Sequence, residues 1–96
     1  MGNVRDLEVE VVEIKGRCPV YQVGDRFYIR EGWKLEAPKL LCLHALTALM
    51  PYYIALSRGI PPRELGLGKD SVAYLQCLDP HERTGGGTVI FAVRAI

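Results

Sequence analysis

The clearest structural pattern in the chain is the run at residues 88–96, TVIFAVRAI. Successive side chains of a strand point to opposite faces of a sheet, and here both faces are apolar. Val89 and Phe91 lie on one side, and Ile90 and Ala92 lie on the other. A strand that is apolar on both faces is typical of a central position, so we expect neighbouring strands on both sides of it.

Three weaker patterns supply those neighbours. Residues 7–11 alternate apolar and acidic side chains, which predicts a half-buried strand. The alternation slips between Val11 and Val12, which indicates a β-bulge or a strand end. Further short strands are predicted at Arg26–Arg30 and at residues 71–78. The chain therefore contains four predicted strands.

A change of period at residues 39–58 predicts one long helix between the second and third strands. Residues 31–38 before it are predicted to be a connecting loop. Pro51 lacks an N–H group, so we expect a kink or a break there, and Gly59 is a suitable C-terminal cap. The resulting order is ββαββ. We predict an α+β fold in which a four-stranded, mainly antiparallel sheet packs against one long kinked helix.

The predicted helix is apolar on nearly all sides. Residues 40–56 approach the length of a membrane span, but His44 and Pro51 within them favour a buried helix instead. A sheet covers only one face of such a helix and leaves the other face in contact with solvent. Because an exposed apolar face usually marks an interface, we expect a homo-oligomer built on helix 39–58.

Composition limits the class of protein. The 96 residues suffice for one hydrophobic core, so residues 1–96 are expected to form a single domain. With 49% hydrophobic residues and a net charge of +1, the chain is not of the disordered class. The 12 basic residues are balanced by 11 acidic ones, which argues against binding to nucleic acid.

The first residues contain no apolar run, so no secretory signal is expected, and we predict a cytoplasmic location without membrane attachment. The cysteines of a cytoplasmic protein stay reduced, and three of them cannot pair completely within one chain. We therefore expect free thiols.

The thiols are the main functional clue. Cys18, Cys42 and Cys77 lack the Cys-x-x-Cys spacing of structural zinc sites, yet the fold could bring them together. Three thiolates can hold zinc with a fourth ligand, or three irons of an iron–sulfur cluster. His81 and His44 are the candidate fourth ligands, with Asp25 and Asp79 as weaker ones.

Two other interpretations fit the same residues. Cysteine is often a buried, inert side chain, in which case the chain is a structural or interaction module that oligomerises through its apolar helix. Alternatively, Cys42 is the thiolate nucleophile of a small cysteine-dependent enzyme. No general acid–base pair or cofactor motif accompanies it, so catalytic and cofactor-binding residues stay unknown.

Four motifs together resemble a family of small prokaryotic proteins that has no established activity. Their order along the chain matches the family pattern of Gly-x-Cys-Pro, Val-Gly-Asp, Cys-x-x-Ala-Leu-x-x-Leu-x-Pro-Tyr and Cys-x-Asp-Pro. In this chain they read GRCP at 16–19, VGDRF at 23–27, CLHALTALMPY at 42–52 and CLDP at 77–80.

The resemblance implies that all three cysteines occupy family positions, which favours a shared site over incidental core packing. The chain also departs from the family. Leu43 and Leu78 replace the prolines that follow the second and third cysteines, and Thr47 stands where the family usually has histidine. If that histidine is a ligand, His44 could replace it, since residues three apart share a helix face.

Overall fold

An antiparallel sheet organises the chain in the computed structural model, which describes residues 3–96. Five strands within this range pair in the order β3-β2-β1-β5-β4. Two short helices and one 3₁₀ helix connect the third and fourth strands. In chain order the elements are β1 (Leu7–Gly16), β2 (Arg26–Arg30), β3 (Lys34–Glu36), α1 (Leu43–Leu49), α2 (Tyr53–Ser57), the 3₁₀ helix (Pro62–Leu65), β4 (Val72–Gln76) and β5 (Gly87–Ala95).

The strands predicted from alternation are present. β2 has the predicted limits, and β5 lies inside the sheet between β1 and β4, as its two apolar faces indicated. The phase slip in β1 is a bulge, because the register against β5 shifts between Val11 and Glu13. This bulge lets β1 continue to Gly16, opposite Gly87 of β5.

The predicted four-stranded sheet is wrong, because a fifth strand lies within the supposed loop 31–38. β3 pairs with β2, so that Arg30 faces Lys34. Glu31 and Gly32 both have positive φ, 56° and 82°, and the Trp33 N–H donates to the Arg30 carbonyl at 3.1 Å. Two positive φ values give a mirror-image turn that matches the twist of a hairpin. A three-residue exposed strand leaves almost no alternation for a sequence pattern to show.

The long kinked helix and the ββαββ order are also wrong. The helical region begins only after Cys42, whose backbone is extended (φ −84°, ψ 129°), and it breaks at Pro51 into α1 and α2. Proline cannot donate the next helical hydrogen bond, which explains the break. No helix within residues 3–96 is long and apolar enough to cross a membrane.

The core lies between one face of the sheet and the segments that cover it. Phe91 is fully buried at the centre of β5, with Tyr21 and Phe27 edge-on to it at ring-centroid distances of 5.5 and 6.2 Å. Ala45 and Leu49 close the core from α1. The tyrosine in this cluster belongs to the loop that carries Cys18, so the core also positions that loop.

Candidate functional site

All three cysteines line one cavity of about 210 Å³ at one end of the sheet, which we call the thiol cavity. Cys18 comes from the β1–β2 loop, Cys42 precedes α1, and Cys77 follows β4. The register between β1 and β5 brings Cys18 and Cys77 to the same end of the sheet, because the pairing of Gly16 with Gly87 places the β1–β2 and β4–β5 loops there. All three cysteines therefore border the same cavity.

Cys77 is the most deeply held of the three thiols. Its side chain is only 7% exposed, its Sγ accepts a hydrogen bond from the Val89 N–H at 3.4 Å, and it donates to the Gly87 carbonyl at 3.6 Å. The Cys77 N–H also donates to the Val89 carbonyl at 2.9 Å. These contacts continue the β4–β5 pairing past the last strand residue and fix the sulfur against β5.

Cys18 and Cys42 are half-buried and meet around Tyr21. The Cys18 Sγ accepts a hydrogen bond from the Tyr21 N–H at 3.4 Å, and the Tyr21 hydroxyl accepts one from the Cys42 N–H at 3.0 Å. Burial raises the pKa of Tyr21, the hydrogen bond from the Cys42 N–H lowers it, and charge interactions with Cys42, Cys18 and Asp25 raise it further. Tyr21 therefore ties two of the cysteine-bearing segments to each other.

Lys39 also links the β1–β2 loop to the segment that precedes α1. Lys39, just before α1, forms an ion pair with Asp25 at 2.9 Å, and its Nζ lies 5.9 Å from the centre of the Tyr21 ring. Hydrogen bonds from Lys39 and from the Gln22 N–H lower the pKa of Asp25 below its ordinary value. Asp25 is thus a structural anchor of the loop rather than a cavity group.

The two histidines have different positions. His44 lines the thiol cavity from α1, although its side chain is exposed. His81 is half-buried in the β4–β5 loop, where its Nδ1 lies 2.8 Å from the Gly86 carbonyl oxygen. Thr47, which stands at the family's histidine position, donates to the His44 carbonyl at 2.7 Å.

Sequence reasoning missed Tyr21 and the glycines of the cavity wall. A Cβ on Gly87 would lie 2.6 Å from the carbonyl carbon of Arg17, and a Cβ on Gly86 would overlap the Asp79 side chain. The glycines therefore allow close packing of two loops rather than simply forming a flexible turn. Tyr21, three residues after Cys18, gave no signal beyond being the aromatic residue of its loop.

The residues at the thiol cavity are of the types that bind metals, but their arrangement is not that of a metal site. Three thiols and an imidazole are the donors that zinc and other soft metals prefer. Yet among residues 3–96 no group of three or more His, Cys, Asp or Glu side chains is arranged to hold a metal ion. The predicted ligand set Cys18, Cys42, Cys77, His81 and His44 therefore stays a prediction.

Comparison with known proteins gave no match to a family model, to a curated protein or to a solved structure. The resemblance carried by the four motifs stays a prediction.

Proposed function

We propose that the protein binds a soft metal ion or an iron–sulfur cluster through Cys18, Cys42 and Cys77. The observation that supports this function is that three segments distant in sequence each place a cysteine on the same small cavity. Soft thiolate ligands select zinc, Cu(I) and iron–sulfur clusters over hard ions such as magnesium. The exposed imidazole of His44 at the same cavity supplies a fourth donor.

Metal binding on this proposal requires the thiols to turn toward a common point. Cys77 is held by two hydrogen bonds at its sulfur and is the fixed member. Cys18 lies in a loop and its sulfur accepts one hydrogen bond at 3.4 Å, so it is held less firmly than Cys77. Loss of thiol protons on binding makes the affinity fall as the pH is lowered.

The test is an anaerobic titration of the reduced protein with Co(II), a spectroscopic substitute for zinc, and with Cu(I) in the presence of a competing chelator. The decisive variants are Cys18→Ser and Cys42→Ser. Both side chains are half-buried, so these variants are expected to fold. Each should lower the affinity by at least about tenfold, the scale of losing a ligand or its support.

Met50→Leu is the matched control, since Met50 is a soft sulfur donor outside the thiol cavity. It should leave the affinity unchanged. Binding that is equally strong in the wild type and both serine variants would contradict the proposal, and so would the absence of sulfur-to-metal charge-transfer absorption.

A second candidate function is self-association, which an exposed apolar surface favours. The surface surrounds a groove of about 120 Å³ between the β2–β3 hairpin and the helices. Trp33 is 71% exposed and Met50 is 54% exposed there. Leu35 also lines the groove and is exposed, and Leu40, Leu43 and Ile54 are further exposed apolar residues of the segment 39–58. Apolar patches of this kind commonly mark protein interfaces.

We propose a second copy of the chain as the occupant, through the region 39–58. The net charge of +1 produces little repulsion between copies. Sedimentation at micromolar concentration should show a dimer or larger species that Met50→Lys dissociates. Val23→Lys, at a residue 63% exposed in the β1–β2 loop, is the control. A monodisperse wild-type monomer would contradict self-association without affecting the metal proposal.

A further inference from the structure

A second cavity, of about 370 Å³, lies at the end of the sheet opposite the thiols. Leu7 at the start of β1 and Ala95 at the end of β5 contribute to its lining, and these two residues pair in the sheet. Gly16 at the other end of β1 borders the thiol region. Ten strand residues span roughly 30 Å, so the two cavities are separate sites.

The turn after α2 shapes this cavity. The Ile60 N–H donates to the Ala55 carbonyl and the Gly59 N–H donates to the Leu56 carbonyl, both at 3.1 Å, while Gly59 has a φ of +88°. These are the two hydrogen bonds of a Schellman motif, which ends the helix and turns the chain sharply. The N-terminal segment is fixed beside it, because the Arg5 N–H donates to the Ser57 carbonyl at 2.7 Å.

The cavity combines an apolar base with a basic rim. Leu7, Leu56 and Val93 are buried side chains that line it. Around them stand the cationic side chains of exposed residues, namely Arg5, Arg63 and Lys69, with Asp70 as the one carboxylate of the lining. The net formal charge of the described lining is therefore positive, although the whole chain is nearly neutral.

These three cations lack the ion pairs that the basic residues of the sheet form within the described chain. Arg94 lies 2.9 Å from a carboxylate oxygen of Glu8, and Arg30 lies 3.1 Å from one of Glu36. Within residues 3–96, by contrast, no ion pair involves Arg5, Arg63 or Lys69. Their charges are thus available to an external anion.

From this geometry we infer a binding site for a small organic anion. Its carboxylate or phosphate group contacts Arg5, Arg63 and Lys69, and its short aliphatic part lies on Leu7 and Leu56. Guanidinium groups bind both kinds of anion through paired N–H donors. A volume of 370 Å³ falls within the range of small-molecule pockets, which are mostly apolar with a few polar groups at defined positions.

The test is a titration of isotopically labelled protein with hexyl phosphate and with hexanoate, followed by amide chemical shifts. Saturable shifts are expected at Leu7, Leu56, Gly59 and Ser71 at millimolar ligand or below. Comparison of the two probes identifies the preferred anionic group. Inorganic phosphate, which lacks the aliphatic part, and hexylamine, which lacks the negative charge, should each bind at least about fivefold more weakly.

Charge removal tests the rim. Arg5→Gln, Arg63→Gln and Lys69→Gln should each weaken binding of the better probe about three- to fivefold, as expected for exposed charge pairs. Arg83→Gln, in the β4–β5 loop at the other end of the sheet, is the control and should have no effect. The inference is overturned if neither probe gives saturable shifts, if inorganic phosphate or hexylamine binds equally well, or if the control weakens binding as much as the rim variants.

Discussion

Tyr21→Phe is the substitution that isolates how the thiol cavity is held together. The variant keeps the aromatic ring, and with it the edge-on contact with Phe91 at 5.5 Å, but removes the hydroxyl that accepts a hydrogen bond from the Cys42 N–H at 3.0 Å. Tyr21 is 3% exposed, so almost no water can reach the position of the missing oxygen from the tyrosine side. The Cys42 N–H then lacks its partner.

The expected cost is set by that unpaired donor. Leaving a buried donor unsatisfied costs about 1–3 kcal/mol, and Cys42 is only half-buried, so we expect about 1–2 kcal/mol. For a domain of this size, each kcal/mol lowers the melting temperature by roughly 4–8 °C. Urea unfolding and calorimetry of Tyr21→Phe measure the two quantities independently.

Tyr74→Phe is the matched control, because Tyr74 is 52% exposed on the edge strand β4. Its free energy of unfolding should change by less than about 0.5 kcal/mol, as for most surface substitutions. Equal effects of the two variants would refute the role assigned to the Tyr21 hydroxyl.

The titration of the phenol provides a second readout of the same contact. Because burial raises the pKa of Tyr21, the tyrosinate absorbance should include a late step, above the ordinary tyrosine pKa, as the pH rises. That late step in the tyrosinate absorbance should disappear in Tyr21→Phe and persist in Tyr74→Phe. Persistence of the late step in Tyr21→Phe would show that a different tyrosine is responsible.

Three further predictions concern stability. Phe91→Ala removes the fully buried ring at the centre of the core and should cost about 3–5 kcal/mol in urea unfolding; a loss below about 1 kcal/mol would refute the core described here. Gly59→Ala meets no atom within 4 Å of the new Cβ, so its cost of about 1–2 kcal/mol should come from the left-handed backbone alone, and an unchanged stability would contradict the Schellman motif. The hydrogen bond and ion pair with Lys39, together with the hydrogen bond from the Gln22 N–H, lower the pKa of Asp25 below its ordinary value of 3.8. The Asp25 carboxylate therefore stabilises the fold above pH 3.8, and this stabilisation is lost as the pH falls through the lower pKa of the folded protein. The stability difference between wild type and Asp25→Asn should therefore shrink during an acid titration below pH 3.8, and a difference that grows there would refute the assignment.

Most strands could be predicted because alternation is a local property. β2 and the bulge after Val11 are visible in the order of side chains alone, and so are the two apolar faces of β5. β3 could not be found in this way, because its three exposed residues include a single apolar side chain, Leu35, which is too few to show alternation. Its one signal is the Glu31-Gly32 pair, a weaker turn signature than Asn-Gly or Asp-Gly.

The helical region was overestimated because helix limits depend on tertiary contacts. The apolar residues 40–42 match a helical pattern, yet the Cys42 N–H is bonded to the Tyr21 hydroxyl, 21 residues away. That contact helps hold Cys42 extended and moves the first helical residue to Leu43. The break at Pro51 and the helix end before Gly59 were visible in the sequence, since they follow from the chemistry of proline and glycine themselves.

The thiol cavity was partly predictable. Residue type marked the cysteines as candidates, but the placement of Cys18 and Cys77 on one cavity depends on the pairing of β1 with β5, which joins segments more than 70 residues apart. The cavity wall depends on the contact between Gly87 and the Arg17 backbone, which no local pattern shows.

The most direct test of the central claim is the metal content of protein purified without oxygen from cells grown with ordinary trace metals. If the three thiols form one soft-metal site, the protein should retain about one ion or one cluster per chain, and Cys18→Ser and Cys42→Ser should lose it while Met50→Leu keeps it. Less than about a tenth of an equivalent of every transition metal in the wild type, under conditions that keep the thiols reduced, would contradict the claim.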